Sequence, residues 1–397
     1  MIEITEDRKK RALLVSLNDG KSGRNKNGFN GEDAGRELRG LAETLELEIL
    51  GHEKVNVRDR QPQFGIGSGK AEELAAKAAQ LEADLLVFDW DPSPSQQRNW
   101  EELAGIPVLD RQELIIKIFA ARAATREAEL QVQLAELHYR LPRLAHKYID
   151  LSRQRGGRYG TKGTGETRLE TDRRAIEQRI HRLEKQIEEV AKQRQVQRRQ
   201  RERHSLPICA IAGYTNAGKS SLLNALTGSS VLVEDKLFAT LDTTTRRFEP
   251  VPGMPALLVD TVGFIRRLPH SLIRAFRSTL EEVSHAELLL HVLDASDANI
   301  ENCYRTTVSV LQELGAGEIP VIIVLNKIDC LRGVRSAPGQ IPYQNTDPEG
   351  VDDKLEDTAD TDALTLFPEG IAVSARNGSG LDQLKNSIAQ KLKKDVR

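Results

Sequence analysis

The run Gly213-Tyr214-Thr215-Asn216-Ala217-Gly218-Lys219-Ser220 matches G-x-x-x-x-G-K-[S/T] at every fixed position, and it constrains the fold more than any other stretch of the chain. An apolar strand, Pro207 to Ala212, leads into it, and a helix starting at Ser221 to Leu226 leads out. Glycines let backbone N–H groups converge on phosphate oxygens, and the helix N-terminus adds partial positive charge. Lys219 would reach the β- and γ-phosphates, and the Ser220 hydroxyl would hold Mg²⁺. A loop of this kind sits at the carboxyl end of a strand in an α/β sheet, so the second half of the chain is expected to be a mostly parallel sheet flanked by helices.

Four further stations follow in order. Asn326-Lys327-Ile328-Asp329 ends the apolar run Ile319 to Leu325 and fits N-K-x-D. The Asp329 carboxylate can accept from both N1–H and the exocyclic amine of guanine, a donor pair that adenine lacks. Asp260-Thr261-Val262-Gly263 closes the strand Ala256 to Val259 and fits D-x-x-G, with Asp260 reaching Mg²⁺ through water and the Gly263 N–H sensing the γ-phosphate. Ser374-Ala375-Arg376 closes the strand Ile371 to Val373 and supplies backbone to the base. The segment Phe238-Ala239-Thr240-Leu241-Asp242-Thr243-Thr244-Thr245 must provide the threonine that ligates Mg²⁺, and four threonines compete for that role. Together the stations describe a GTP-binding, GTP-hydrolysing module.

One part of the hydrolytic site is missing. Many phosphate-loop GTPases place a water-orienting glutamine after D-x-x-G, and here that position is Phe264. A phenyl ring cannot orient water, so intrinsic hydrolysis is expected to be slow and the catalytic group is unassigned. Asn216 lies in a G-x-x-N-x-G-K-S loop that resembles those of GTPases holding K⁺ beside the phosphates, where the ion neutralises transition-state charge. The alternative is that Asn216 braces its own loop through local hydrogen bonds. Arg246 and Arg247 read as surface charges or partner contacts.

At 397 residues and 39% hydrophobic content the chain can fill two or three cores. Residues 1–124 alternate short strands (Ala12 to Leu17, Leu47 to Leu50, Leu85 to Phe88, Pro107 to Leu109) with helices (Gly35 to Leu45, Ala71 to Leu81), as in a small α/β domain. Within it Gly65-Ile66-Gly67-Ser68-Gly69-Lys70 imitates a phosphate loop, but Phe64 and Ala71 occupy the first-glycine and Ser/Thr positions, so a tight turn capping a helix is expected. Leu130, Leu134, Leu137 and Leu141, and then Ile176, Ile180, Leu183, Ile187 and Val190, recur at steps of four and three. These stripes predict an antiparallel helical hairpin over 125–204. Its tip, Arg155 to Gly165, is rich in glycine, and Arg155, Arg158, Tyr159 and Lys162 are candidate RNA contacts. The G domain follows over 205–397.

The overall charge of −2 conceals an asymmetry. Arg140 to Arg203 holds nineteen Lys/Arg against nine Asp/Glu, a net +10, which suits a polyanion such as RNA. Residues 332–368 form an acidic insertion, with Pro338, Pro342 and Pro348 and few large apolar residues, expected to be loosely ordered. Three cysteines without metal spacing read as reduced thiols, and no apolar run approaches a membrane span. The expected setting is the cytoplasm, with peripheral membrane association as a further option, and the expected state is a monomer.

Several stretches outside the nucleotide motifs are more specific. They are Pro92 to Asn99; Asp110-Arg111 with Ile118 to Ala123; Gln131 to Ala135; Gly165 to Arg174; Phe238 to Asp242; Asp260 to Ile265; and Ala275 to Glu282. Through these the chain resembles, over nearly its whole length, the HflX-type ribosome-associated GTPases. The resemblance makes Thr240 the magnesium ligand beside Ser220. It implies binding to the large (50S) ribosomal subunit through the N-terminal and helical domains, with the hairpin tip reaching ribosomal RNA near the peptidyl-transferase centre. It also implies GTP-dependent splitting of stalled or idle ribosomes under stress, and in some members ATP hydrolysis by the N-terminal part. The chain departs from the pattern at Asp242-Thr243, where many members have Asp-Pro, and in the hairpin tip. Two competing readings are an RNA-remodelling module with GTP as a structural or switch ligand, and a scaffold that engages partners through the acidic insertion.

Overall fold

The computed structural model describes residues 8–19, 31–147, 164–202, 206–229, 236–241, 244–266, 272, 283–331 and 362–394. The chain divides into two compact units, Met1–Arg198 with Arg267–Arg277, and Arg199–Arg266 with Ser278–Arg397.

In the first unit β1 (Arg11–Asp19), α1 (Gly31–Thr44), β2 (Glu48–Val57), α2 (Ser68–Gln80), β3 (Leu85–Phe88), α3 (Pro94–Ala104), β4 (Val108–Asp110) and α4 (Arg111–Arg122) alternate. The four strands form a parallel sheet in the order β2-β1-β3-β4. A parallel strand covered on both faces reads as a continuous apolar run, and Ala12 to Val15 of β1 are fully buried. β2 runs seven residues past Leu50 because β1 keeps pairing with it as far as Asp19 opposite Val57. Along that extension Val55 and Val57 are buried while Lys54 and Asn56 are exposed.

α3 gave no apolar stripe, since Trp100 is its one buried residue. It starts because Ser93 and Gln96 form a reciprocal capping box and Pro94 opens the first turn. Its polar side chains hold the loop that imitates a phosphate site. Gln96 Nε2 donates to the carbonyls of Gln61 (3.2 Å) and Pro62 (3.1 Å), Asn99 Nδ2 to Gln63 (2.8 Å), and Trp100 Nε1 to Phe64 (2.8 Å). Gly67 then caps α2, and Lys70 is paired with Glu73 at 2.6 Å, so this loop is a helix-capping turn.

α5 (Arg126–Lys147) and α6 (Thr164–Glu202) carry the two stripes, which meet as expected: Leu130, Leu134 and Leu137 pack with Ile180 and Leu183, flanked by Leu141, Ile176, Ile187 and Val190. A buried polar cluster ties α5 to the end of β4. Arg143 donates to Asp110 Oδ2 at 2.7 Å and covers the Tyr139 ring at 3.6 Å, and the Tyr139 hydroxyl donates to the same carboxylate oxygen at 3.0 Å. Burial pushes the Asp110 carboxyl up to about 6, against the pull of Arg143. The candidate RNA contacts Arg155, Arg158, Tyr159 and Lys162 lie outside the described residues.

In the second unit β5 (Ile208–Gly213), α7 (Lys219–Thr227), β6 (Thr244–Phe248), β7 (Ala256–Asp260), β8 (Leu288–Asp294), α8 (Ile300–Glu313), β9 (Val321–Asn326), a 3-10 turn (Ile328–Cys330), α9 (Asp362–Leu366), β10 (Ile371–Ala372) and α10 (Leu381–Lys394) build a six-stranded sheet in the order β10-β9-β8-β5-β7-β6. All neighbours are parallel except β6 and β7. Leu222, Leu223 and Leu226 of α7 and Leu384 and Ile388 of α10 pack on Ile211, Leu290 and Val292, while Ile300 of α8 packs with Leu293 and Leu325.

The reading of 332–368 as loosely ordered needs correction at its end. Residues 332–361 lie outside the described set, but α9 is folded, with Ala363 buried beside Leu293, Leu325 and Leu331 and Phe367 packed on the same group. Ala363 and Phe367 stand four apart, one helical face, which was too short a signal to stand out in an acidic stretch. All three cysteines are free thiols, with Cys209 and Cys303 buried and Cys330 exposed. Among the described residues no helix is long and apolar enough to cross a membrane.

Candidate nucleotide-binding site

Parallel α/β sheets place ligands at the carboxyl ends of their strands, and every motif of the second unit is found there. β5 leads into the loop 213–218, β7 ends at Asp260, β8 at Asp294, β9 at Asn326, and β10 runs into Ser374. The loop requires its glycines. A Cβ on Gly213 would lie 2.3 Å from the Val292 carbonyl oxygen, and one on Gly218, whose φ is +86°, would lie 2.3 Å from Asn326 Nδ2. Asn326 explains that second approach. Its amide donates to the Ala217 carbonyl at 3.0 Å and accepts the Ala375 N–H at 3.0 Å, joining phosphate loop and base-side loop through one buried side chain.

Lys219 is buried at the first turn of α7, with its ammonium donating to the Tyr214 carbonyl at 2.8 Å. Burial lowers its pKa to about 8, partly offset by Asp260, with Lys327 adding to the lowering. An anionic ligand favours the charged ammonium. Below pH about 8 the amine is already protonated and affinity should be flat; above it, binding must first recruit a proton. GDP affinity is therefore expected to weaken by about tenfold between pH 7 and pH 9. Equilibrium titration of GDP at the two values checks this, and a flat profile would refute it.

A group of oxygens gathers beside Lys219. Ser220 Oγ donates to Asp260 Oδ2 at 2.6 Å, Thr240 Oγ1 donates to the same oxygen at 3.1 Å, and the two hydroxyl oxygens are 2.6 Å apart. Among the described residues Asp260 Oδ1 is a buried side-chain oxygen without a hydrogen-bond partner, and burial raises the carboxyl pKa against the pull of Lys219, the two hydroxyls and the Thr261 N–H. Two hydroxyls and a desolvated carboxylate with an idle oxygen make a donor set suited to a hard divalent cation. Of the four competing threonines, Thr244 and Thr245 are strand residues paired with Asp260 and Val259, Thr240 is in the oxygen cluster, and Thr243, like Asp242, lies outside the described residues.

At the base end Ser374 Oγ donates to Asp329 Oδ1 at 2.6 Å and accepts the Asn377 N–H at 3.3 Å, while Asp329 Oδ2 takes only a weak contact from the Cys330 thiol at 3.9 Å among the described residues. Lys327, in a left-handed conformation at φ +65°, is held by Asp294 at 2.7 Å. Asp294 was missed from sequence, although a lone carboxylate ending the apolar strand Leu288 to Leu293 was a usable signal. Phe264 is buried, so its ring points into the core and not toward a water. Asn216 is exposed with φ +61°, and its side chain makes no hydrogen bond among the described residues, which does not favour the bracing role. Arg246 and Arg247 are exposed on β6, which is the edge strand.

Three family models cover the chain in sequence: a GTP-binding GTPase N-terminal region over 32–120, a GTP-binding GTPase middle region over 122–201, and a 50S ribosome-binding GTPase over 208–327. The GTPase HflX of Akkermansia muciniphila is 47% identical over 83% of this chain and 76% of its own, and that of Caldanaerobacter subterraneus subsp. tengcongensis is 42% identical over 100% and 83%. The chain belongs to the HflX family of GTPases. The Escherichia coli HflX is 39% identical over 91% of this chain and 79% of its own. The crystal structure of SsGBP in complex with GDP shares the fold, with a TM-score of 0.51 at 24% identity, over 96% of this chain and 98% of that one. As an HflX GTPase, the protein binds GTP and hydrolyses it to GDP and phosphate.

Proposed function

We propose that this HflX GTPase acts in the cytoplasm on the large (50S) ribosomal subunit, where its nucleotide state gates affinity for the ribosome and drives the splitting or rescue of stalled or idle ribosomes. The observation that carries this reading is the match of a 50S ribosome-binding GTPase model to residues 208–327, which include the phosphate loop and Asp260 to Gly263, together with a net charge of +10 over Arg140 to Arg203. In this reading residues 1–124 and the hairpin 125–204 dock on ribosomal RNA, with Arg155, Arg158, Tyr159 and Lys162 at the tip, and 205–397 is the G domain.

Residues 213–220 cradle the phosphates, Lys219 neutralises the β- and γ-oxygens, and Ser220 and Thr240 ligate Mg²⁺ with Asp260 reaching it through water. Phe238 to Asp242 and Asp260 to Gly263 close over the γ-phosphate. Asn326 to Asp329 and Ser374 to Arg376 enclose guanine. Mg²⁺, held by Ser220 and Thr240, would supply charge neutralisation for the phosphates. The chain's own residues align the phosphates and exclude the wrong base. Without a side chain after Gly263 that can orient water, turnover is slow until the ribosome engages, and Asn216 holds K⁺ as an added counter-charge.

The test is steady-state GTP hydrolysis with and without purified 50S subunits, in potassium and then sodium buffer. Stimulation of at least tenfold by 50S is expected, given the about 10³–10⁵-fold that supplied transition-state charge contributes in other GTPases. A potassium requirement would support Asn216 as an ion ligand. No response to 50S would overturn the ribosome-gated reading and favour an RNA-remodelling module in which GTP is a switch ligand, a role that the buried Phe264 permits.

A further inference from the structure

The segment after Asp260 does not leave the sheet freely; it is laced back onto the phosphate loop. Two anchor points define it. β5 pairs with β7 at Ile211 opposite Asp260, and a second parallel bridge joins Tyr214 to Phe264. Two residues separate the anchors on one strand and three on the other, so the 260–264 side carries one extra residue and bulges. The bulge is held at both ends. The buried Thr261 hydroxyl donates to the Ile211 carbonyl at 2.7 Å. The Phe264 N–H donates to the Gly213 carbonyl at 3.1 Å, and the Thr215 N–H donates to the Phe264 carbonyl at 2.7 Å.

The bulge carries Gly263 against the phosphate-binding machinery. A Cβ there would lie 2.9 Å from Lys219 Nζ and 2.9 Å from Thr215 Cα, so only glycine fits. Phe264 and Ile265 follow with both side chains fully buried. A final bond extends the lacing two residues further: the Tyr214 hydroxyl accepts the Arg266 N–H at 2.9 Å. Tyr214 thus contacts this segment twice, by backbone at Phe264 and by side chain at Arg266, while its own carbonyl takes the Lys219 ammonium.

We infer that Tyr214 is a positioning residue for GTP hydrolysis: its hydroxyl pins the strand after Gly263 to the phosphate loop and so fixes the Gly263 N–H where a γ-phosphate oxygen must be met. Electrostatic stabilisation of a transition state depends on donors already held in place. A backbone N–H in a bulge has no such rigidity of its own. The lacing supplies it, with the phenol as the outermost stitch. The buried Phe264 ring serves the same purpose as an anchor, which accounts for an apolar residue standing beside the sensor glycine. This inference rests on the proposed contact of the Gly263 N–H with the γ-phosphate and is independent of any ribosomal partner.

Tyr214→Phe keeps the ring and the backbone bridge and removes the hydroxyl that accepts the Arg266 N–H. Losing one such bond at a transition-state contact is expected to lower kcat about fivefold. GDP has no γ-phosphate, so its affinity should stay within about twofold, and the thermal unfolding midpoint of the full chain should not move. A non-hydrolysable GTP analogue should lose more affinity than GDP does, which narrows the GTP-to-GDP preference. Two results overturn the inference: an unchanged kcat and preference, or a fall in kcat matched by parallel losses in GDP affinity and unfolding midpoint, which would make Tyr214 only a structural support.

Discussion

Replacing Lys219 with alanine is expected to reduce GTP turnover by about 10³-fold or more, because its ammonium is buried within the phosphate loop and donates to the Tyr214 carbonyl there. The ammonium also interacts with the buried carboxylate of Asp260. In the alanine variant γ- and β-phosphate charge would go uncompensated in the transition state. Its fold should survive, since Ser220 and Thr240 still donate to Asp260 and Asn326 still braces the loop. Circular dichroism and the unfolding midpoint should match the parent while phosphate release falls to background. Turnover within tenfold of the parent would remove Lys219 from the phosphate site.

The second large effect is a change of base. Asp329→Asn should weaken GTP binding by about 10²–10⁴-fold, the loss of two hydrogen bonds to a charged acceptor. An asparagine amide presents one acceptor and one donor where guanine offers two donors. The geometry favours a clean readout, because Asn keeps an oxygen for the Ser374 hydroxyl that now donates to Asp329 at 2.6 Å. Xanthosine triphosphate carries a carbonyl in place of the guanine amine, so it pairs with that donor and should become the better substrate. Competition binding of the two triphosphates to parent and variant measures the reversal. If both nucleotides weakened equally, Asp329 would be a structural residue of the turn and not the guanine reader.

Both predictions rest on residues that were legible in sequence, and the reason is local. A phosphate loop and N-K-x-D work through backbone N–H groups, glycine conformations and one or two side chains within eight residues, so the pattern carries its own geometry. The strands expected before four of the stations appeared where the sequence put them, within a residue or two at the ends. The leucine and isoleucine stripes of the hairpin were equally readable, because a 3.5-residue repeat fixes which face is buried whatever it packs against.

Elements without a period were lost. α3 has a single buried residue, and its start is set by Ser93 and Gln96; its purpose became apparent only when Gln96, Asn99 and Trp100 were seen to hold the carbonyls of residues 61–64, more than thirty positions earlier. α9 hid in acidic sequence because two apolar residues make no stripe, although they suffice to bury Ala363 against Leu293 and Leu325.

The sequence by itself determined an α/β chain of the HflX family of GTPases and singled out Lys219, Asp260 and Asp329 as its proposed nucleotide contacts, because those proposals follow from chemistry held within short motifs. Thr240, picked from four threonines only through the family resemblance, stands with Ser220 at the Asp260 carboxylate in the tertiary structure, and only that structure decided that Asn326 joins the phosphate and base loops and that Tyr214 ties down the segment after Gly263. Those relations link residues twenty, forty, fifty and more positions apart. Such contacts are set by strand order and by the bulge between two parallel pairings, and no spacing along the chain encodes them.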